Sequence, residues 1–185
     1  MACELSSLHF QYTDKMDQLT ANVLFADGAA AVAVGPRPAA ARVLDCRCAS
    51  LPDYAQQMVW FADDHGPRLE LSQDLPDTLA AHVPAVVGNF LDRNGLSHAA
   101  IDHWLVHPGG RQILDSVEQA LHLPTNALQL SRSVLRRYGN MSSPTIFFIL
   151  KELLAARVDG RCVAMAFGPG LTVELVLLEL RHGPR

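Results

Sequence analysis

An α/β domain is what the sequence predicts, and three stretches predict it. Ile101 to Val106 is a short apolar run, broken only by Asp102 and His103, that ends at His107 and a Pro-Gly-Gly turn. An amphipathic segment, Gln112 to Leu121, follows at once. Leu79, Val83, Val86, Val87 and Phe90 recur at helical spacing within Leu75 to Leu91, and Asn94-Gly95 closes that helix. Arg161 to Phe167 and Leu171 to Leu180 read as two strands joined by a glycine-proline hinge.

The remaining elements fit between these. Residues 3 to 10 read as a strand end and its following loop. Asp14 is the expected N-cap of a helix through Met16, Leu19 and Val23, which Phe25-Ala-Asp-Gly28 ends. Ala29 to Val34 reads as a buried strand, and Gly35-Pro-Arg-Pro38 breaks the pattern. Arg42 to Ala49, Gln56 to Phe61 and Arg68 to Leu71 have strand character, with Asp63-Asp-His-Gly-Pro67 as a turn. A helix from about Thr125 to Arg137 precedes Asn140. The apolar helix from Pro144 to Ala156 (Ile146, Phe147, Phe148, Ile149, Leu150) should be buried on most sides.

Composition narrows the function classes. The chain has 185 residues, which suits a single domain, and is 49% hydrophobic and only 18% charged. That balance is apolar for a globular domain, so some apolar surface is expected to be covered by another domain or subunit. No run of about 18 apolar residues spans a membrane. A net charge of −4 without a basic block speaks against nucleic acid. Cys46-Arg-Cys48 lacks a second pair to complete a metal site, and buried free thiols are the expected state of both cysteines. No signal peptide opens the chain, so a reducing cytoplasm is expected.

Chemistry concentrates near His107. Crevices in open α/β sheets form outside the carboxyl ends of strands, where His107 falls. Gly109 and Gly110 lack a Cβ and would let a ligand approach the backbone. Taken singly these residues also describe an ordinary strand-to-helix turn. Asn140 and Ser142, in Tyr138-Gly-Asn-Met-Ser-Ser143, likewise suit a helix cap before Pro144.

The motifs His107-Pro-Gly-Gly110, Tyr138-Gly-Asn-Met-Ser-Ser143 and Phe167-Gly-Pro-Gly-Leu-Thr-Val-Glu174, in that order, resemble the C-terminal half of a type III polyketide synthase of the chalcone and stilbene synthase family. The His107-to-Asn140 separation, Cys3-Glu-Leu-Ser-Ser-Leu-His-Phe10 and Leu24-Phe-Ala-Asp-Gly-Ala-Ala30 fit the same family. The resemblance implies half of a thiolase-like fold, a mixed sheet with helices packed on both faces, in which residues 1–35 are the tail of the preceding half-domain. It implies iterative decarboxylative condensation of malonyl-CoA with an acyl-CoA starter, with no cofactor beyond these substrates. His107 and Asn140 are then the catalytic hydrogen-bond donors, and His107 also keeps a nucleophilic cysteine ionised.

The same resemblance makes Phe25 a gatekeeper between the CoA tunnel and the cavity. Ser6, His9 and Ser142 line the elongation cavity, Phe167 and Pro169 form its wall, and Gly109-Gly110 borders the pantetheine arm. Leu69 stands where plant-type members carry an aromatic gate, which leaves room for an aliphatic starter. None of Cys3, Cys46, Cys48 and Cys162 matches the family's nucleophile. A cysteine-bearing N-terminal half or an intact synthase subunit is therefore the expected partner, in a homo- or hetero-dimer. Alternatives are a non-catalytic half-domain or remnant, and a ketoacyl synthase of fatty-acid initiation, for which His-Gln-Ala-Asn would be expected in place of His-Pro-Gly-Gly. His103 and His107 have the spacing of a helical zinc pair, but Trp104-Leu-Val106 reads as strand, and no metal is expected.

Overall fold

The computed structural model describes residues 1–36, 39–63 and 66–181. Its centre is a four-stranded mixed sheet made by β3 (Ala41–Ser50), β6 (His103–Val106), β7 (Gly160–Gly168) and β8 (Thr172–Leu180), in the order β3-β8-β7-β6. β8 lies antiparallel to both its neighbours, and β6 runs parallel to β7. A parallel pair needs a long crossover, and three helices supply it: α3 (Arg111–Ala120), α4 (Gln129–Tyr138) and α5 (Thr145–Ala155). The amide of His107 extends the ladder by donating to the Met165 carbonyl at 2.8 Å.

Alternation along the strands makes two cores, one on each face. On one face Trp104, Val106, Val163, Met165, Val173 and Leu175 meet Leu79, Val83, Val87 and Phe90 of α2 (Leu75–Arg93) and Ile113, Leu114 and Val117 of α3. On the other, Leu105, Cys162, Leu178 and Leu180 meet Val134 of α4 and Ile149 and Leu153 of α5. Helices therefore cover both faces, as expected. α5 is less enclosed than its composition suggested. Only Thr145, Ile149 and Leu153, a stripe at i, i+4 spacing, are fully buried, because α5 packs on the sheet and against α4 but keeps its outer side uncovered by the described residues. α4 begins at Gln129 rather than Thr125, since residues 124–128 are spent on turns closed by Ala127 N–H to Pro124 O and Gln129 N–H to Asn126 O.

The first 35 residues lie over the cavity end of this body. β1 (Ala2–Glu4) and β2 (Gly28–Ala30) pair antiparallel, a 3₁₀ turn spans Ser6–His9, and α1 runs Met16–Leu24. Lys15, not Asp14, occupies the N-cap of α1, and its amide donates to Thr13 Oγ1. β4 (Met58–Asp63) and β5 (Gly66–Leu71) form a separate hairpin beneath α1. The turn expected there includes residues 64–65, which lie outside the described residues.

An expectation of burial fails here. Ala29 to Val34 is strand only as far as Ala30, and Val34 stands 86% exposed. The helix expected through Met16, Leu19 and Val23 forms, with Met16 and Val23 74% and 89% exposed. The apolar pattern is real, but the described residues supply no second layer for it. Consistently, the accessible surface is 10912 Å², against about 8,800 Å² for a folded monomer of this mass. Cys46 and Cys48 do share one side of β3, yet both are exposed, because β3 is an edge strand with an uncovered face.

Candidate active site

A cavity of about 1050 Å³ opens between the carboxyl end of β6, the start of α2, the β4–β5 hairpin and residues 4–27. It lies at the upper end of the size of small-molecule sites, about 300–1,000 Å³. His107 and Asn140 both line it, and so do Phe25, Ser6, His9, Leu69, Gly109, Gly110, Ser142, Phe167 and Pro169. Residues spread from 6 to 169 thus meet in one space.

His107 is placed by its main chain, held to β7, while the following Gly109 amide folds back onto its carbonyl at 3.0 Å. The His107 ring makes no hydrogen bond to another described residue, so its edge is free for a ligand. Loss of water around the ring pushes its pKa down from 6.5 to about 4, which keeps it neutral near pH 7. Neither Gly109 nor Gly110 has a left-handed backbone, and a Cβ at either would meet nothing closer than 3.5 Å. Space beside the cavity, not backbone strain, is what these glycines provide.

Asn140 is fixed more tightly. It is 3% exposed, its amide donates to Leu24 O and its carbonyl accepts from Ala26 N–H, both at 2.9 Å. These bonds make a parallel bridge to Phe25, so the gate residue and the amide share one register. The Ser142 N–H donates to Asn140 Oδ1 at 2.9 Å, which assigns the NH2 to the other side. That NH2 donates to Gly109 O at 3.3 Å, and its second hydrogen is uncommitted among the described residues. Ser142 reaches this geometry at φ +56, in the left-handed region. Asn140 is therefore not the N-cap of α5: Pro144 holds that place, and Thr145 Oγ1 accepts from the Met141 amide.

Several lining residues were not foreseen: Glu4, Gln18, Asp27, Trp60 and Arg68. Asp27 accepts from both the amide and the hydroxyl of Ser7 at 2.7 Å, so it pins the 3₁₀ turn that carries Ser6 and His9. The Ser7 amide, then the Ser7 hydroxyl, hold its carboxyl below the usual range. Glu4 Oε1 accepts from Ser143 Oγ at 2.7 Å and ties β1 to the Asn140 loop. Gln18, 5% exposed, donates to Leu69 O at 3.3 Å. Gln18 gave no signal, since α1 also carries Asp17, Thr20 and Asn22; for Asp27 the signal was the Ala-Asp-Gly turn. Trp60 and Arg68 gave none, since which face of a hairpin looks inward depends on its partner.

No described cysteine lines the cavity. Cys162 is buried in the opposite core, where burial pushes its thiol up to about 12, and it cannot serve as a nucleophile there. Among the described residues no three His, Cys, Asp or Glu side chains are grouped to hold a metal. His103 and His107 lie four residues apart on extended chain, about 13 Å, beyond the reach of one ion. No described helix is long and apolar enough to cross a membrane.

Residues 48–181 match the family model of the chalcone and stilbene synthases, C-terminal domain. The chain belongs to this family. It is 31% identical to a putative chalcone synthase of Bacillus subtilis over 99% of its own length and 54% of that protein's. It is also 31% identical to an alpha-pyrone synthesis polyketide synthase-like protein of Mycobacterium tuberculosis, over 96% of this chain and 48% of the other. A probable polyketide synthase of Dictyostelium discoideum is 32% identical over 95% of the chain, which is 6% of that much larger protein. Among solved structures, the C-terminal type III polyketide synthase domain of the Dictyostelium hybrid "Steely1" superposes with a TM-score of 0.85 at 28% identity, covering 97% of this chain and 52% of the other. The fold is that of the C-terminal part of these thiolase-like enzymes. The family model starts at Cys48, whereas Ser6, His9 and Phe25 of the cavity precede it. The chain spans about half the length of the bacterial relatives it matches.

Proposed function

We propose that the chain supplies the histidine-asparagine part of a polyketide-condensing site whose nucleophilic cysteine comes from outside residues 1–185. What carries this reading is the one cavity in which His107, Asn140 and the nine residues expected to line it converge, while no described cysteine enters it. Residues 1–35 then belong with a preceding half-domain, and the exposed apolar side chains of α1 and of Ala31 to Val34 are the surface it covers.

The chemistry follows from the donors. An acyl starter transfers from CoA to the cysteine thiolate, malonyl-CoA loses carbon dioxide, and the resulting enolate attacks the bound thioester. Every step places negative charge on a carbonyl oxygen, and the Asn140 amide and a His107 N–H are positioned donors for it. A desolvated, neutral His107 can also take the cysteine proton, and the resulting ion pair would raise its pKa again. Met58, Leu69, Leu71, Leu75 and Leu79 make one wall aliphatic, which favours an aliphatic acyl-CoA starter over an aromatic one. The reading carries with it a dimeric, cytoplasmic enzyme that needs no cofactor beyond its CoA substrates.

The test is substitution in the assembled enzyme, this chain combined with a cysteine-bearing half. Asn140→Ala and His107→Ala should each slow condensation of malonyl-CoA by about 10²–10³-fold. Unchanged turnover in both variants would sink the assignment.

A further inference from the structure

His9 is a second imidazole in the same cavity, and condensation gives it no task. It ends the 3₁₀ turn Ser6–His9, which Ser7 and Asp27 pin by two 2.7 Å hydrogen bonds. Its ring stands edge-on to Trp60, centroids 5.2 Å apart at 77°, so its orientation is set by packing. No described residue hydrogen-bonds to the ring, and its side chain lines the cavity together with His107 and Asn140. A fixed, half-buried base without a partner in a reaction chamber is poised for proton transfer.

We propose that His9 is the general base of product release by lactone closure, an inference that rests on the condensing role argued above. The enol oxygen of a bound triketide attacks its own thioester carbonyl. A carbon–oxygen bond forms, the carbon–sulfur bond breaks, the enol proton passes to the His9 imidazole, and the electron pair leaves on the cysteine thiolate. No oxidant, reductant or water is consumed, and the product is a pyrone. A bound triketide is too short for either of its activated methylenes to close a six-membered ring onto one of its carbonyls, so closure through oxygen is the route open to it. The charged and titratable groups that line the cavity with His9 are Asp27 and Glu4 from its own segment, Arg68 from β5, and His107 and Arg111 beyond the end of β6.

The experiment follows enzyme-bound intermediates by intact-protein mass spectrometry in the chain assembled with a cysteine-bearing half, fed malonyl-CoA and a medium-chain acyl-CoA. In His9→Gln and His9→Ala the bound triketide should accumulate, because its release is slowed about 10²–10⁴-fold more than loading and extension are in the same variants. The acid limb in the pH profile of release should disappear with them, a change that a merely structural residue would not produce. Release at the wild-type rate with the same pH limb, or resorcinols as the wild-type product, would overturn this role alone. Absence of any extended intermediate in the wild type would overturn the condensing role and this one together.

Discussion

At the scale of single residues, His107 makes the sharpest claim. Its imidazole has lost water without gaining an ionic partner, so its folded pKa of about 4 lies below the 6.5 of the unfolded chain. The unfolded state therefore binds a proton that the native state refuses. Stability from this group is present above pH 6.5 and is lost as pH falls from there toward 4, by on the order of 3 kcal/mol in total. NMR titration of the ring in the 185-residue chain should find it neutral down to about pH 5, and His107→Gln should flatten that part of the acid-unfolding curve. A ring titrating above pH 6 would contradict the burial argument. Asn140 makes a complementary claim: its amide is turned by the Ser142 N–H on Oδ1, so Asn140→Asp, which keeps that acceptor and loses the NH2 donor, should cost activity even where the fold survives.

Elements explain how much could be read beforehand. The strand ending at His107, α2, α3 and the β7–β8 hairpin were all legible, because each buries one face against a partner within the chain and so keeps a clean period. α1 was read as a helix and is one, whereas Ala29 to Val34 was misread as a buried strand, because β2 pairs with β1 over three residues only and no described layer covers the residues after it. The cavity was legible from motifs at Phe25, His107, Asn140 and Phe167. Glu4, Asp27 and Gln18 were not, since their value lies in contacts with residues distant in sequence. Those contacts are tight. Gly28 faces Met141 so closely that a Cβ would sit 2.7 Å from the Met141 Cβ. Gly28→Ala must push β2 away from the Asn140 loop and should destabilise the fold by about 1–3 kcal/mol, measured by denaturant unfolding. Leu79→Ala, in the wall of the cavity and fully buried, should cost about 2–5 kcal/mol and enlarge the chamber.

For the whole molecule, the excess of accessible surface and the run of exposed apolar side chains from Leu5 to Val34 say that this body has one unfinished side. The isolated chain should bind a hydrophobic dye and self-associate, and a cysteine-bearing half should suppress both. A monodisperse, dye-silent monomer would count against it. In the proposed reading, with the cavity on that same side, closing the fold and completing the catalytic group would be one event. The measurement that tests this most directly is a malonyl-CoA and acyl-CoA assay, read by mass spectrometry, on the 185-residue chain alone and on the chain combined with a cysteine-bearing half. Polyketide products in the combination only, and lost again with His107→Ala, are the predicted result. Products from the chain alone, or none from a well-formed combination, would contradict it.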